Sequence, residues 1–153
     1  MALTLELDPE FAARLPAGVD RFDYLLHLDG EIFRDMQERR TLRFTLGERR
    51  YFLKAHFGVG WSEIFKNLLQ LRLPVLGARN EWQALNKLQR LGVDTMRVVA
   101  YGERGRNPAR RESFIVTEAL EDTESLEDFC ADWDTRPRVG RAAIRLKRAL
   151  ITR

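Results

Sequence analysis

Two runs of alternating polar and apolar residues, Thr41-Leu42-Arg43-Phe44-Thr45-Leu46 and residues 49–57, stand on either side of Gly47-Glu48. Side chains alternate across a strand, and a two-residue loop containing glycine favours a hairpin, so this stretch predicts an antiparallel pair around which the rest of the chain is organised. In the second run Arg50, Phe52, Lys54 and His56 share one face, while Tyr51, Leu53, Ala55 and Phe57 share the other. One face therefore carries the cations. Downstream, residues 79–91 read as a helix in which Glu81, Leu85 and Leu88 recur at i, i+4 and i+7. Glu81 thus borders an apolar stripe, an expensive place for a carboxylate unless a cation meets it. Lys54 is one candidate, with Arg79 or a flanking water as the alternative. A strand lysine held by a helix glutamate suits phosphoryl transfer, because the ammonium grips phosphates while the carboxylate holds it in place. A lysine on a half-exposed strand is also, on its own terms, simply a solvated one.

The 153 residues, 44% of them hydrophobic, suffice for one domain with a real core. With 26 basic against 23 acidic residues the net charge is +3, too mild to argue for a nucleic-acid partner. Arg136, Arg138, Arg141, Arg145, Lys147, Arg148 and Arg153 crowd the C-terminal end, either to meet anionic phosphates or as a solvated helix face. The single cysteine, Cys130, excludes an internal disulfide and a multi-cysteine metal site, and fits a reducing, cytoplasmic compartment. The acidic N-terminus, with Glu6, Asp8 and Glu10, does not read as a secretory signal. No window approaches the roughly 20 apolar residues of a membrane span, so membrane contact is expected to be peripheral.

Taken in order, Asp8-Pro9 predicts a helix start that fades by Pro16, and a second short helix covers residues 21–27 with His27 as a surface or cap histidine. Residues 31–36 alternate enough for a strand and residues 37–40 turn the chain. After Gly58-Val59-Gly60, Ser62 is placed to cap a helix whose Ile64, Phe65, Leu68, Leu69 and Leu71 form an apolar face expected to pack on the core, with Pro74 ending it. The helix over 79–91 buries Trp82, Leu85 and Leu88 and ends at Gly92. Strands over 96–101 and 113–117 follow, joined by a glycine-rich, basic turn over 102–111. Ser125-Leu126-Glu127-Asp128 is a capping box opening a helix through Phe129 and Trp133. A last helix from Val139, with Ala143, Leu146 and Leu150 on one face, reaches Arg153 without a stop signal and reads as cut, which leaves that face open to self-association.

A hairpin with a lysine on its second strand, a helix with a glutamate, two further strands and an extended exit into a helix is the order of a protein-kinase amino-terminal lobe. The runs RRTLRFTLGERRYFLKAH, EIFKNLLQLRLPVLGARNEWQALNKLQRLGVDTM, AYGERGRNP and SFIVTEALEDTESLEDFCADW resemble the lipopolysaccharide core heptose(I) kinases of Gram-negative bacteria. The resemblance implies an α+β fold with an antiparallel sheet and flanking helices: a helical extension over residues 1–29, a kinase-like lobe over 30–124 with a hinge near 117–121, and the first carboxy-lobe helices over 125–153. It implies ATP and a divalent metal, Mg2+, as cofactors, and heptose I of the lipopolysaccharide core, or another core sugar such as Kdo, as acceptor at the cytoplasmic face of the inner membrane. It makes Lys54 the phosphate-contacting lysine, Glu81 its partner and Thr117 the residue behind adenine, with the Glu118 carbonyl and the Leu120 N–H on the adenine edge.

Three departures from a typical protein kinase stand out. The loop over 35–40 contains no glycine to let a backbone close over phosphates, leaving Arg39 or Arg40 either to supply charge there or to be solvated. Phe52 occupies the position of the small residue expected over adenine. No His-Arg-Asp-like or Asp-Phe-Gly-like run occurs, so neither a catalytic residue nor a metal ligand is expected within this chain, and the chain by itself is expected to transfer no phosphate. The alternative of another class is a non-catalytic module that docks to a membrane or a protein through the apolar face of the helix after Gly60 and the basic tail.

Overall fold

The alternation over 41–57 becomes a hairpin of β3 (Arg39–Leu46) and β4 (Arg49–His56), in which Leu42 faces Leu53 and Thr41 faces Lys54. Gly47 sits at φ +66°, the left-handed conformation that a tight loop demands and that glycine adopts without steric cost. Tyr51, Leu53 and Ala55 are buried, whereas Phe52, Lys54 and His56 between them stay partly open, so the two faces of β4 do different work. This computed structural model describes residues 2–36, 38–70 and 77–121. The chain divides into two compact units, Met1–Ala119 and Leu120–Arg153; the helices expected from Ser125 and Val139, Cys130 and the basic tail lie outside the described residues.

The hairpin belongs to a six-stranded antiparallel sheet in the order β1-β5-β6-β4-β3-β2, in which β4 is a central strand, with β1 (Leu3–Leu7), β2 (Glu31–Met36), β5 (Val98–Arg104) and β6 (Glu112–Glu118). β1 was not expected. Residues 1–29, read from sequence as a helical extension, hold two helices but also this edge strand, which pairs with β5 from Leu3 opposite Arg104 to Leu7 opposite Ala100. The strand is short and its outward positions are polar, yet Leu5 and Leu7 pack against the main core as period-two side chains should.

That core lies under α1 (Pro9–Arg14) and α2 (Arg21–Leu26). The Asp8 carboxylate accepts from the N–H groups of Glu10 and Phe11, and that of Asp20 from Asp23, so each helix starts on a side-chain cap. Phe11, Phe22, Leu25 and Leu26 then pack onto Leu42, Tyr51, Leu53, Phe114 and Val116 of the sheet. The opposite sheet face meets α4 (Arg79–Arg90), where Leu85 and Ala78 bury against Tyr101 and Ile115. Gly92, at φ +70°, closes α4: its N–H reaches the Gln89 carbonyl and the Val93 N–H the Leu88 carbonyl, both at 3.0 Å.

The helix after Gly60 departs from expectation. It runs as α3 (Gly60–Leu69), beginning two residues before Ser62, and of its described apolar residues only Ile64 is buried, against Val59 and Ala109 of the 3-10 turn Pro108–Arg110. Trp61, Phe65, Leu68 and Leu69 remain exposed, Leu69 at 86%. A helix-period apolar stripe shows that one face is hydrophobic; it does not say what covers that face.

Candidate functional site

The structure joins Lys54 to Glu81 and gives Arg79 to another partner. Strand β4 holds Lys54 between Thr41 of β3 and Ile115 of β6. α4 lies across that face and presents Glu81 from its first turn, so that the Lys54 Nζ donates to Glu81 Oε1 at 2.6 Å. The two side chains keep 41% and 32% of their surface accessible. A half-exposed pair of this kind contributes only about 0–1 kcal/mol to stability. Its geometry therefore matters more for what it can hold: an ammonium has three donors, and among the described residues only Glu81 takes one of them, which leaves donors for an anion.

Around the pair, register decides which residues share its face. Phe52 lies opposite Thr117 of β6, and Thr117 is buried. Phe33 of β2 meets Phe52 edge-on with ring centroids 5.3 Å apart, and the Arg43 guanidinium lies over Phe33 at 5.4 Å. Aromatic surface thus stands where a small residue was expected from protein kinases. Towards the other end of β4, His56 lies opposite Arg39 and Ser113. Burial, then the Arg39 charge and the Lys54 charge, push the His56 imidazole down to about 4 against the opposing pull of Glu81. Its Nδ1 is shielded from solvent and has no hydrogen-bond partner among the described residues. His56 is therefore neutral at physiological pH and adds no charge beside Lys54.

The two arginines considered for phosphate cover separate. Arg39, opposite His56, shares the Lys54 face, whereas Arg40, opposite Ala55, is on the other one, beside Asp35 at 3.6 Å and over the Phe57 ring at 5.8 Å. Asp35, Met36, Arg40 and Phe57 line a cavity of about 440 Å³ there, away from the lysine. The Glu118 N–H donates to the Arg97 carbonyl and the Ala119 N–H to the Arg50 carbonyl, both at 2.9 Å, which holds the exit of β6 in place. The Glu118 carboxylate pairs with Arg49 at 3.2 Å and Arg97 at 3.6 Å. Leu120 begins the second unit.

One residue of this face escaped the sequence reading. Glu103 fell inside a stretch read as a basic turn, but β5 continues to Arg104, and Tyr101 and Glu103 stand two apart on the α4 side of the sheet. Glu103, 8% exposed, accepts from Arg79 Nη2 at 2.7 Å, Arg79 Nε at 3.1 Å and the Tyr101 hydroxyl at 2.9 Å. Burial raises its carboxyl pKa, but the hydrogen bonds from Arg79 and Tyr101 outweigh it and leave the value below the ordinary one. Tyr101, by burial and by its bond to Glu103, is pushed up to about 12. The signal available in the sequence was the i, i+2 spacing of Tyr101 and Glu103, which extends the strand past Gly102.

An antiparallel sheet whose central strand carries a lysine, paired with a glutamate from the helix that connects it to the next two strands, defines the amino-terminal lobe of a protein-kinase-like fold. The lipopolysaccharide kinase (Kdo/WaaP) family matches residues 23–152, and the chain belongs to that family. It is 52% identical over 149 residues to the lipopolysaccharide core heptose(I) kinase WaaP of Escherichia coli, covering 97% of this chain and 54% of the relative. Against the enzyme of the same description from Pseudomonas aeruginosa it is 52% identical over 151 residues, covering 99% and 54%. A solved structure described as WaaP in complex with acyl carrier protein superimposes with a TM-score of 0.71 at 44% identity, over 97% of this chain and 52% of that one. The chain spans about half the length of the curated relatives it matches.

Proposed function

We propose that this chain is the nucleotide-binding half of an ATP-dependent kinase that phosphorylates heptose I of the lipopolysaccharide inner core, working in the cytoplasm at the inner membrane. The observation that carries the proposal is the 2.6 Å pair of Lys54 and Glu81 on an open sheet face. Its specific acceptor is argued from the 52% identity to heptose(I) kinases of two organisms. Another core sugar such as Kdo, a word that the family's description contains, is the runner-up acceptor.

The residues present fit a nucleotide. Lys54 would bind the phosphate oxygens, with Glu81 fixing the ammonium so that little reorganisation accompanies binding. Thr117 would back the adenine, Phe52 would form part of the roof, and the Glu118 carbonyl and Leu120 N–H would read the adenine edge. In phosphoryl transfer the protein mainly positions groups and neutralises charge, and this lobe would supply the cationic share. The described residues do not fit a metal: none of their His, Cys, Asp and Glu side chains form a group of three or more able to hold one. Mg2+ ligands and the group that orients the acceptor hydroxyl would come from the half of the relatives that this chain does not span.

One observation favours a second reading, docking to a lipid surface or a protein through α3, whose Trp61, Phe65, Leu68 and Leu69 are exposed. No helix among the described residues is long and apolar enough to cross a membrane. The deciding experiment is phosphate transfer from ATP to dephosphorylated core oligosaccharide by the chain extended at its native locus to the relatives' length. Lys54→Ala is expected to lower kcat by about 100-fold or more, a loss on the scale of one transition-state charge contact. Activity within about threefold of wild type would remove Lys54 from the chemistry. Inactivity of both proteins, with vesicle binding that Leu69→Ser abolishes, would favour the docking reading.

A further inference from the structure

We propose that Glu103 is a positioning residue, the sheet-side anchor that holds the first turn of α4 so that Glu81 stays engaged with Lys54. The proposal rests on the phosphate-gripping reading of Lys54 and names what maintains that pair.

The first turn of α4 is fixed from outside the helix. Its cap position is Ala78, which makes no side-chain cap, so the helix lacks the usual local device for fixing its first turn. The sheet supplies the fixing. The Ala78 N–H donates to Ser113 Oγ of β6 at 3.0 Å, and Ser113 is fully buried. Gly77 makes this approach possible, because a Cβ there would stand 2.5 Å from Ser113 Oγ. One residue further on, Arg79 forks onto both oxygens of Glu103. Trp82, one residue past Glu81, stacks on Tyr101 at 4.6 Å with the rings 15° apart, and the Tyr101 hydroxyl donates to Glu103. Glu81 is therefore bracketed by contacts that lead back to Tyr101, Glu103 and Ser113.

Magnitudes favour a positional role over a stabilising one. A buried carboxylate is costly to desolvate, and replacing a buried ion pair by apolar residues is often neutral for stability. What a two-pronged guanidinium contact adds is geometric definition. The Lys54–Glu81 pair, half exposed and weak by itself, does not hold α4 in place. The order of dependence therefore runs from Glu103 through Arg79 and the helix to Glu81 and Lys54.

The test is a double-mutant cycle on the extended chain, with kcat/KM for ATP as the readout. Glu103→Gln keeps the shape and removes the charge. It is expected to lower kcat/KM about tenfold in the wild-type background and less than about twofold in a Lys54→Ala background, where the pair it maintains is already gone. Glu103→Asp, which keeps the charge, should recover part of the loss. Equal losses in both backgrounds would overturn the proposal, since Glu103 would then act by another route. A second measurement separates this inference from the functional reading beneath it: amide hydrogen exchange of α4 and β4 in wild type and Glu103→Gln. Faster exchange in the first two turns of α4 with β4 unchanged supports the anchor even if no sugar acceptor is ever phosphorylated. Unchanged exchange in α4, or a rise throughout both elements, overturns it.

Discussion

Between β4 and β5 the described residues hold two helices of similar length, α3 and α4, and they are attached to the molecule by opposite means. α3 carries the more apolar stripe, yet buries a single described side chain, Ile64, in a small cluster with Val59 and Ala109. α4 is more polar, yet it is held by Leu85 and Ala78 in the core and, at its first turn, by Arg79, Glu103 and Ser113. Apolar content thus does not measure how firmly a helix is placed. Placement follows from whether its partners exist in the same unit, and for α4 half of those partners are polar groups on β5 and β6. The helix that carries Glu81 is the one with geometric definition.

The largest expected effect tests that asymmetry directly. Leu85→Ala, in the cluster with Tyr101 and Ile115, is expected to cost about 2–4 kcal/mol. Leu69→Ala, at a site 86% exposed, is expected to change stability by no more than about 0.5 kcal/mol. Urea unfolding midpoints of the two variants decide it. Comparable costs would mean that the α3 face is covered in solution and that the contrast between the helices is false.

The same contrast shows what the sequence could convey. The hairpin was legible because period-two alternation and a glycine-containing loop are local signals, and the need of Glu81 for a cation was legible because it borders an apolar stripe, whereas the choice of Lys54, 27 residues away on another element, over Arg79 is made by the fold. The fate of the α3 stripe was not, since amphipathicity is symmetric between a core, a lipid and a partner. β1 escaped because Leu3, Leu5 and Leu7 alternate over only five residues beside the acidic start of α1. Glu103 escaped because its partner Arg79 lies 24 residues away on another element, and only the register of β5 on β6 reveals that it faces α4. Arg39 and Arg40 were indistinguishable as neighbours in sequence, and the pairing with β4 separates them, Arg40 opposite Ala55 and Arg39 opposite His56. Local chemistry was readable; choices among distant partners needed the pairing.

An intermediate effect concerns acid. His56, on the α4 side of the sheet, has its pKa lowered to about 4 from an ordinary 6.5, so the unfolded chain binds a proton in that interval that the folded chain refuses. Stability should therefore fall as pH drops from about 6.5 to about 4, by about 2 kcal/mol once solvent screening of a partly exposed ring is allowed for. Glu103 acts in the same direction at lower pH: its pKa is depressed, so its contribution is full above the ordinary carboxylate value and is lost as pH falls through the folded one. A series of urea midpoints from pH 8 down to about pH 3 checks both. His56→Gln should flatten the slope between pH 6.5 and pH 4, and an unchanged slope would show that the imidazole is not the group responsible.

The smallest expected effect is the most diagnostic. If α4 is placed by Leu85, Ala78 and the Glu103 anchor, then the Lys54–Glu81 pair is a consequence of that placement. Removing the charge of Lys54 by Lys54→Met, which keeps much of the aliphatic stem, should then change the unfolding free energy by less than about 1 kcal/mol, because a half-exposed pair contributes little and Glu81 can return to water. A loss above about 3 kcal/mol would mean that the ion pair itself holds α4, as a buried pair would. The arrow drawn from Glu103 to Lys54 would then have to be reversed. A near-neutral result, beside a large loss of nucleotide-dependent activity in the extended chain, would separate the two properties: a lysine dispensable to the fold and needed for the phosphates.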